Sequence, residues 1–138
     1  MVVDESAFAR GMVRTYLEMV GHRVVEAAGV REALEKLERH PVDVLLASLD
    51  LPGREVPLLL ESIRRLPAGP PLLALTSGAE GGARPGGREG GFDDYQSKFD
   101  REGMLRSIER LAAAVRTAET PAPEAASSGG GWRPGGTS

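Results

Sequence analysis

The sequence contains no cysteine, which excludes disulfides, thiolate zinc centres and cysteine nucleophiles and fits a reducing compartment. It has no basic excess either: 17 Lys and Arg stand against 20 Asp and Glu, a formal net charge of −3. With a sequence pI near 5.5, a broad basic face for nucleic acid or anionic lipid is not expected. No apolar run approaches the ~20 residues needed to span a bilayer, and the N-terminus has no basic region followed by a long apolar stretch. The expectation is a cytoplasmic protein that contacts neither membrane nor nucleic acid. Histidine is scarce, with only His22 and His40 in the chain. At 138 residues there is enough chain for one core and not for two.

Glycine and proline, by contrast, are abundant, at 18 and 10 residues. They are concentrated: seven Gly and one Pro fall in the fourteen positions from Gly78 to Gly91, and five Gly and three Pro in the twenty-two from Thr117 to Ser138. The second stretch has almost no apolar residues besides Ala and Trp132. It cannot bury enough surface to offset the entropy of ordering, so residues 117–138 are expected to be a disordered tail or linker after a folded domain at 1–116.

Within that domain, short apolar runs alternate with amphipathic stretches. Met1-Val2-Val3 predicts a strand running into Asp4 and Glu5. Ser6 can cap a helix with Phe8, Met12, Val13, Tyr16, Leu17 and Val20 on its apolar stripe, and Gly21 is placed to end it. Arg23 to Ala27 predicts a second strand. A second helix follows, with Val30, Ala33, Leu34 and Leu37 on one face and Glu32/Lys36 and Glu35/Arg39 as i,i+4 pairs, stopped by Pro41. Val44 to Leu49 is nearly continuous in apolar residues, as in a strand buried on both faces of a parallel sheet. Leu51-Pro52-Gly53 predicts a turn, and Pro57 suits the first turn of a third helix. Leu72 to Leu75 ends at Thr76, Tyr95-Gln96-Ser97 is a weak fifth strand, and Asp100 can cap a last helix. This alternation predicts a doubly wound α/β domain with a five-stranded parallel sheet. In such folds chemistry sits at the carboxyl ends of the strands, which selects Asp4, Glu5, Ser48, Thr76 and Lys98.

Those residues, with Val2-Val3-Asp4-Glu5-Ser6, Asp43 to Gly53, Ala74-Leu75-Thr76 and Gly91 to Lys98, resemble a response-regulator receiver domain of two-component signalling. The resemblance runs from Met1 to about Val115 and implies a flavodoxin-like strand order, 2-1-3-4-5. Lys98-Phe99-Asp100-Arg101 lacks the proline that usually follows the family's lysine. In that respect it is similar to receivers fused to the C-terminus of chemotaxis-type hybrid histidine kinases. In the family an aspartate at the end of the third strand takes a phosphoryl group from a kinase phosphohistidine. A divalent metal sits on an acidic pair, and a hydroxyl and a lysine meet the phosphoryl oxygens, because the task is positioning and charge neutralisation. The resemblance carries the acidic pair to Asp4 and Glu5, the hydroxyl to Thr76 and the lysine to Lys98. Tyr95 matches the aromatic whose rotamer reports phosphorylation, or is a half-buried edge aromatic.

The acceptor is missing. It precedes the family's proline by four positions, and four before Pro52 is Ser48. Asp50 comes two residues later, displaced by about 6–7 Å along an extended strand, a poor substitute in positioned chemistry. Ser48 has no evident base and reads as a small neutral filler. Magnesium binding by Asp4 and Glu5 alone is expected to be weak, with no other cofactor. Val56 stands where the family has a Gly able to take positive φ. The resemblance implies a fourth helix at Gly78 to Gly91, and the glycines there predict that it is frayed or irregular, since each costs ~1 kcal/mol relative to Ala.

The expected function is a non-enzymatic pseudo-receiver, independent of phosphorylation. It would act through protein contacts with a histidine kinase or chemotaxis signalling proteins, as a monomer or weak dimer. Two other readings stand beside it: an active receiver using Asp50 or another carboxylate, and a small nucleotide or phosphate binder on the same fold. The second of these lacks a Gly-rich loop after the first strand.

Overall fold

Period-two alternation in the apolar runs sends neighbouring side chains to opposite faces of one sheet. The computed structural model describes residues 1–78 and 91–119, the last four by backbone alone. Its strands are β1 (Val2–Val3), β2 (Glu26–Ala27), β3 (Leu45–Ser48), β4 (Leu72–Thr76) and β5 (Asp94–Ser97). All neighbours are parallel, in the order β2-β1-β3-β4-β5, as predicted. The helices are α1 (Ala7–Met19), α2 (Val30–Leu37), α3 (Glu55–Arg64) and α4 (Arg101–Glu119). Val3, Leu45, Ala47, Leu72 and Ala74 pack under α2 and α3, against Val30, Ala33, Leu59 and Ile63. Val2, Leu46, Leu73 and Leu75 face the other way, against Val13 and Leu17 of α1 and Met104, Ile108 and Leu111 of α4. The sheet is thus covered on both sides, which is why β3 and β4 read as unbroken apolar runs.

Several details depart from the sequence reading. In α1 the inward positions are Ala9, Val13 and Leu17, whereas Phe8 is 82% and Val20 54% exposed. The i,i+4 row starting at Ala9 is the one that meets the sheet, and Phe8 lies about 100° round the helix from it. The second strand contracts from Arg23–Ala27 to Glu26–Ala27. Glu32 pairs with Lys36 at 2.9 Å, but Glu35 pairs with Arg31 at 3.8 Å rather than Arg39. The reason is that α2 ends at Leu37, ahead of Arg39 and of Pro41. In the loop after β3 the left-handed residue is Gly53, at φ +61°; Val56 lies inside α3 and needs no positive φ.

Caps fall where expected. Ser6 Oγ accepts from the Ala9 amide at 3.1 Å, Gly21 follows α1 with φ +93°, and Asp100 Oδ1 accepts from the Gly103 amide at 2.9 Å. α4 is fastened to β5 through Asp94, which accepts from the Ser107 hydroxyl at 2.6 Å and pairs with Arg110. Burial pushes the Asp94 carboxyl up, but the bonds from Ser107, the Tyr95 amide and Arg110 outweigh it and leave it below its ordinary range. α4 continues past Arg116 to Glu119. The predicted irregular segment between Gly78 and Gly91, and the predicted linker with Trp132, fall outside the described residues.

The first residue gives a pH-dependent contribution. The Met1 ammonium donates to the Val44 carbonyl at 2.9 Å, and burial lowers its pKa from 8.0 to about 6, with Asp43 partly opposing. The unfolded chain therefore binds this proton more readily than the folded one, and stability rises with pH across that interval. We expect ~3 kcal/mol to be lost as pH falls from about 8 to about 6, with no further loss from this group below that. Denaturant titrations across this range check it. The slope should vanish when an N-terminal extension turns the amine into a peptide group, and a flat profile in the unextended chain would overturn it.

Candidate functional site

Because all the strands are parallel, their carboxyl ends lie on one edge of the sheet, and the polar residues that follow them converge there. Asp4 and Lys98 are buried, at 3% and 5% exposure, and Lys98 Nζ lies 2.8 Å from Asp4 Oδ2. Asp4 Oδ1 accepts from the Ser6 amide at 2.9 Å, so one carboxylate both starts α1 and holds the ammonium. The Lys98 amide in turn donates to the Thr76 carbonyl at 2.8 Å, which fixes the lysine to the end of β4. Glu5 is exposed, with its side chain at the rim of an open cleft of about 270 Å³.

Ser48 ends β3 with no exposure at all. The register sets Val3 opposite Ala47, so Ser48 follows alongside Asp4. Its hydroxyl accepts from the Asp50 amide at 3.0 Å. Thr76 is also buried, and its Oγ1 has no hydrogen-bond partner among the described residues. Neither side chain is among those that line the open cleft. Tyr95 is fully buried rather than half-buried, at 3% exposure, and meets Phe92 edge-on with ring centroids 5.8 Å apart.

The position of Asp50 differs most from the sequence reading. The displacement of about 6–7 Å assumes an extended chain, but β3 ends at Ser48 and the chain turns. Asp50 Oδ2 comes to 3.6 Å from Lys98 Nζ and accepts from the Ser77 hydroxyl. Strand-end selection alone passes over Ser77, whose one sequence signal is its place directly after Thr76 at the end of β4. Two exposed aromatics, Phe8 at 82% and Phe99 at 63%, flank the cleft together with Met12.

The donor set does not fit a magnesium ion as it stands. Such an ion needs several free hard oxygens, yet Asp4 Oδ1 is taken by the Ser6 amide and Oδ2, which accepts no hydrogen bond among the described residues, is already ion-paired with Lys98 at 2.8 Å. Among the described residues no group of three or more His, Cys, Asp or Glu side chains is arranged to hold a metal. The positive charge beside Asp4 is the chain's own ammonium.

A doubly wound parallel sheet with an acid, a lysine and hydroxyls gathered at its strand ends is the architecture of a phosphosignalling module. The profile of the response regulator receiver domain matches residues 1–109, and the chain belongs to that family. It is 32% identical over 117 residues to an uncharacterized 14.6 kDa protein of Leptolyngbya boryana, covering 83% of this chain and 89% of that one. It is 34% identical over 119 residues to the transcriptional regulatory protein ResD of Bacillus subtilis, covering 85% of this chain and spanning 49%, about half, of ResD. Among solved structures, a crystal structure of the P1 domain of CheA3 in complex with CheY6 from R. sphaeroides aligns with TM-score 0.69 and 26% identity, covering 82% of this chain and 95% of that one.

Proposed function

We propose that this chain is a pseudo-receiver: a receiver domain of two-component signalling that works without phosphorylation, as a non-enzymatic cytoplasmic module, through contacts with a chemotaxis-type histidine kinase system. The observation that carries the reading is Ser48, wholly buried at the end of β3 with its hydroxyl accepting from the Asp50 amide. A serine hydroxyl is not the carboxylate nucleophile that the family uses, and the carboxylate that does reach Lys98, that of Asp50, comes from two residues past the acceptor position. Phe8 and Phe99, exposed at the cleft, offer aromatic anchors of the kind that protein contacts bury. The similarity to the structure of the P1 domain of CheA3 in complex with CheY6 makes a P1 domain the partner to try first. The chain itself is a monomer or weak dimer.

A second reading is favoured by one distance. Asp50 is a carboxylate 3.6 Å from Lys98, with its side chain 59% exposed, and could be an acceptor at a shifted position. Incubation with acetyl phosphate and magnesium, read by intact mass, separates the two. The expected result is an unchanged mass. A base-labile, acid-stable phosphate mapped to Asp50 would replace the first reading with the second.

A further inference from the structure

Ser48, Asp50 and Ser77 form a chain of contacts that a mere loss of the acceptor does not require. The Asp50 amide donates to Ser48 Oγ at 3.0 Å, and the Leu51 amide reaches the Ser48 carbonyl at 3.4 Å. These bonds wrap the chain over the end of β3. They aim the Asp50 side chain back across the strand ends, where it receives the Ser77 hydroxyl from beyond β4 and faces Lys98 from beyond β5 at 3.6 Å. The anchors are rigid: Ser48 is 0%, Asp4 3% and Lys98 5% exposed. The carboxylate that spans them is open to solvent.

We propose that Asp50 is a resident anion that latches the pocket, with Ser48 as its positioning residue. This rests on the pseudo-receiver reading, in which Lys98 has no phosphoryl group to meet. Lys98 shares its charge between two carboxylates, with Asp4 on the buried side and Asp50 on the solvent side. The solvent-side attraction is screened and weak by itself. The Ser77 hydrogen bond and the Ser48 anchor are therefore what define the geometry, by joining the segments after β3 and β4. A serine at the acceptor position then has a use: its hydroxyl turns a carboxylate two residues away into the pocket's own counter-charge. The ends of β3, β4 and β5 are held in one arrangement with no modification of the chain.

A mutant cycle in the full chain tests this. Asp50→Ala, Ser77→Ala and the double variant change exposed side chains, so the fold is retained, and urea unfolding gives each folding constant. The expected single losses are about fivefold each, and the double variant should lose about fivefold in total rather than about twenty-five-fold, a coupling factor of about five. The decisive arm repeats the cycle in a Ser48→Ala background. Ser48 acts on Ser77 only through Asp50 in this scheme, so the coupling should collapse towards one. Additive effects in the wild-type background, or a coupling indifferent to Ser48→Ala, overturn the latch. Failure here is separable from failure of the pseudo-receiver reading. Phosphate on Asp50 with coupling intact removes only the latter, and additive effects without phosphate remove only the latch.

Discussion

Lys98→Met is expected to destabilise the fold by ~3–5 kcal/mol, the cost of leaving a buried carboxylate without its counter-charge. The Lys98 and Asp4 side chains are 6% and 4% exposed and 2.8 Å apart. Methionine replaces most of the lysine stem, so the loss is not one of packing volume. The backbone bond from residue 98 to the Thr76 carbonyl is untouched by the change. What disappears is the charge, and Asp4 keeps only the Ser6 amide on its other oxygen. Urea unfolding measures the effect, and the partner variant assigns it. Asp4→Asn combined with Lys98→Met removes both charges, and should recover most of the stability because a buried pair often contributes little net over neutral groups of similar size. A Lys98→Met loss below ~1 kcal/mol would place this pair among screened surface pairs. The same result would sink the account of the pocket as closed by its own charges.

The contrast between Asp4 and Asp50 shows what the sequence could disclose. Asp4 follows an apolar pair directly, so strand-end logic finds it from local order alone. The same logic finds Ser48, Thr76 and Lys98, and the alternation of runs and stripes gives the sheet order once the resemblance is noticed. Local pattern fails where a tertiary choice decides between local options. The apolar face of α1 contains two candidate rows, one through Phe8 and Met12 and one through Ala9, Val13 and Leu17. Only docking on the sheet selects the second and leaves Phe8 outside. Likewise β2 pairs on one side only, so nothing in Arg23–Ala27 fixes how much of it joins the ladder. A strand's rise misplaces Asp50 because β3 ends two residues before it, at Ser48. Ser77 meets it across 27 positions, a separation that no spacing rule covers.

Putting the missing carboxylate back is expected to make stability depend on magnesium. Ser48 is fully buried and next to Asp4 in the sheet register, so Ser48→Asp gathers three carboxylates around one ammonium. Without a divalent ion the variant should lose about 3 kcal/mol or more, since Lys98 already serves Asp4 and Asp50 and cannot neutralise a third charge. The introduced oxygens also supply hard ligands that the wild-type site lacks. Magnesium should then stabilise the variant by ~2.7 kcal/mol at a hundred times its dissociation constant. The wild-type chain, whose Asp4 oxygens are both engaged, should not respond at the same concentration. Thermal melts of both chains with and without magnesium give this comparison directly. Acetyl phosphate should then label the variant and leave the wild type unmodified. If the variant stays indifferent to magnesium, the strand ends are not set as a receiver pocket. Ser48 would then stand for a deeper remodelling than one lost carboxylate. If the wild type responds as strongly as the variant, Lys98 does not keep Asp4 from the ion, and the wild-type donor set is sufficient after all.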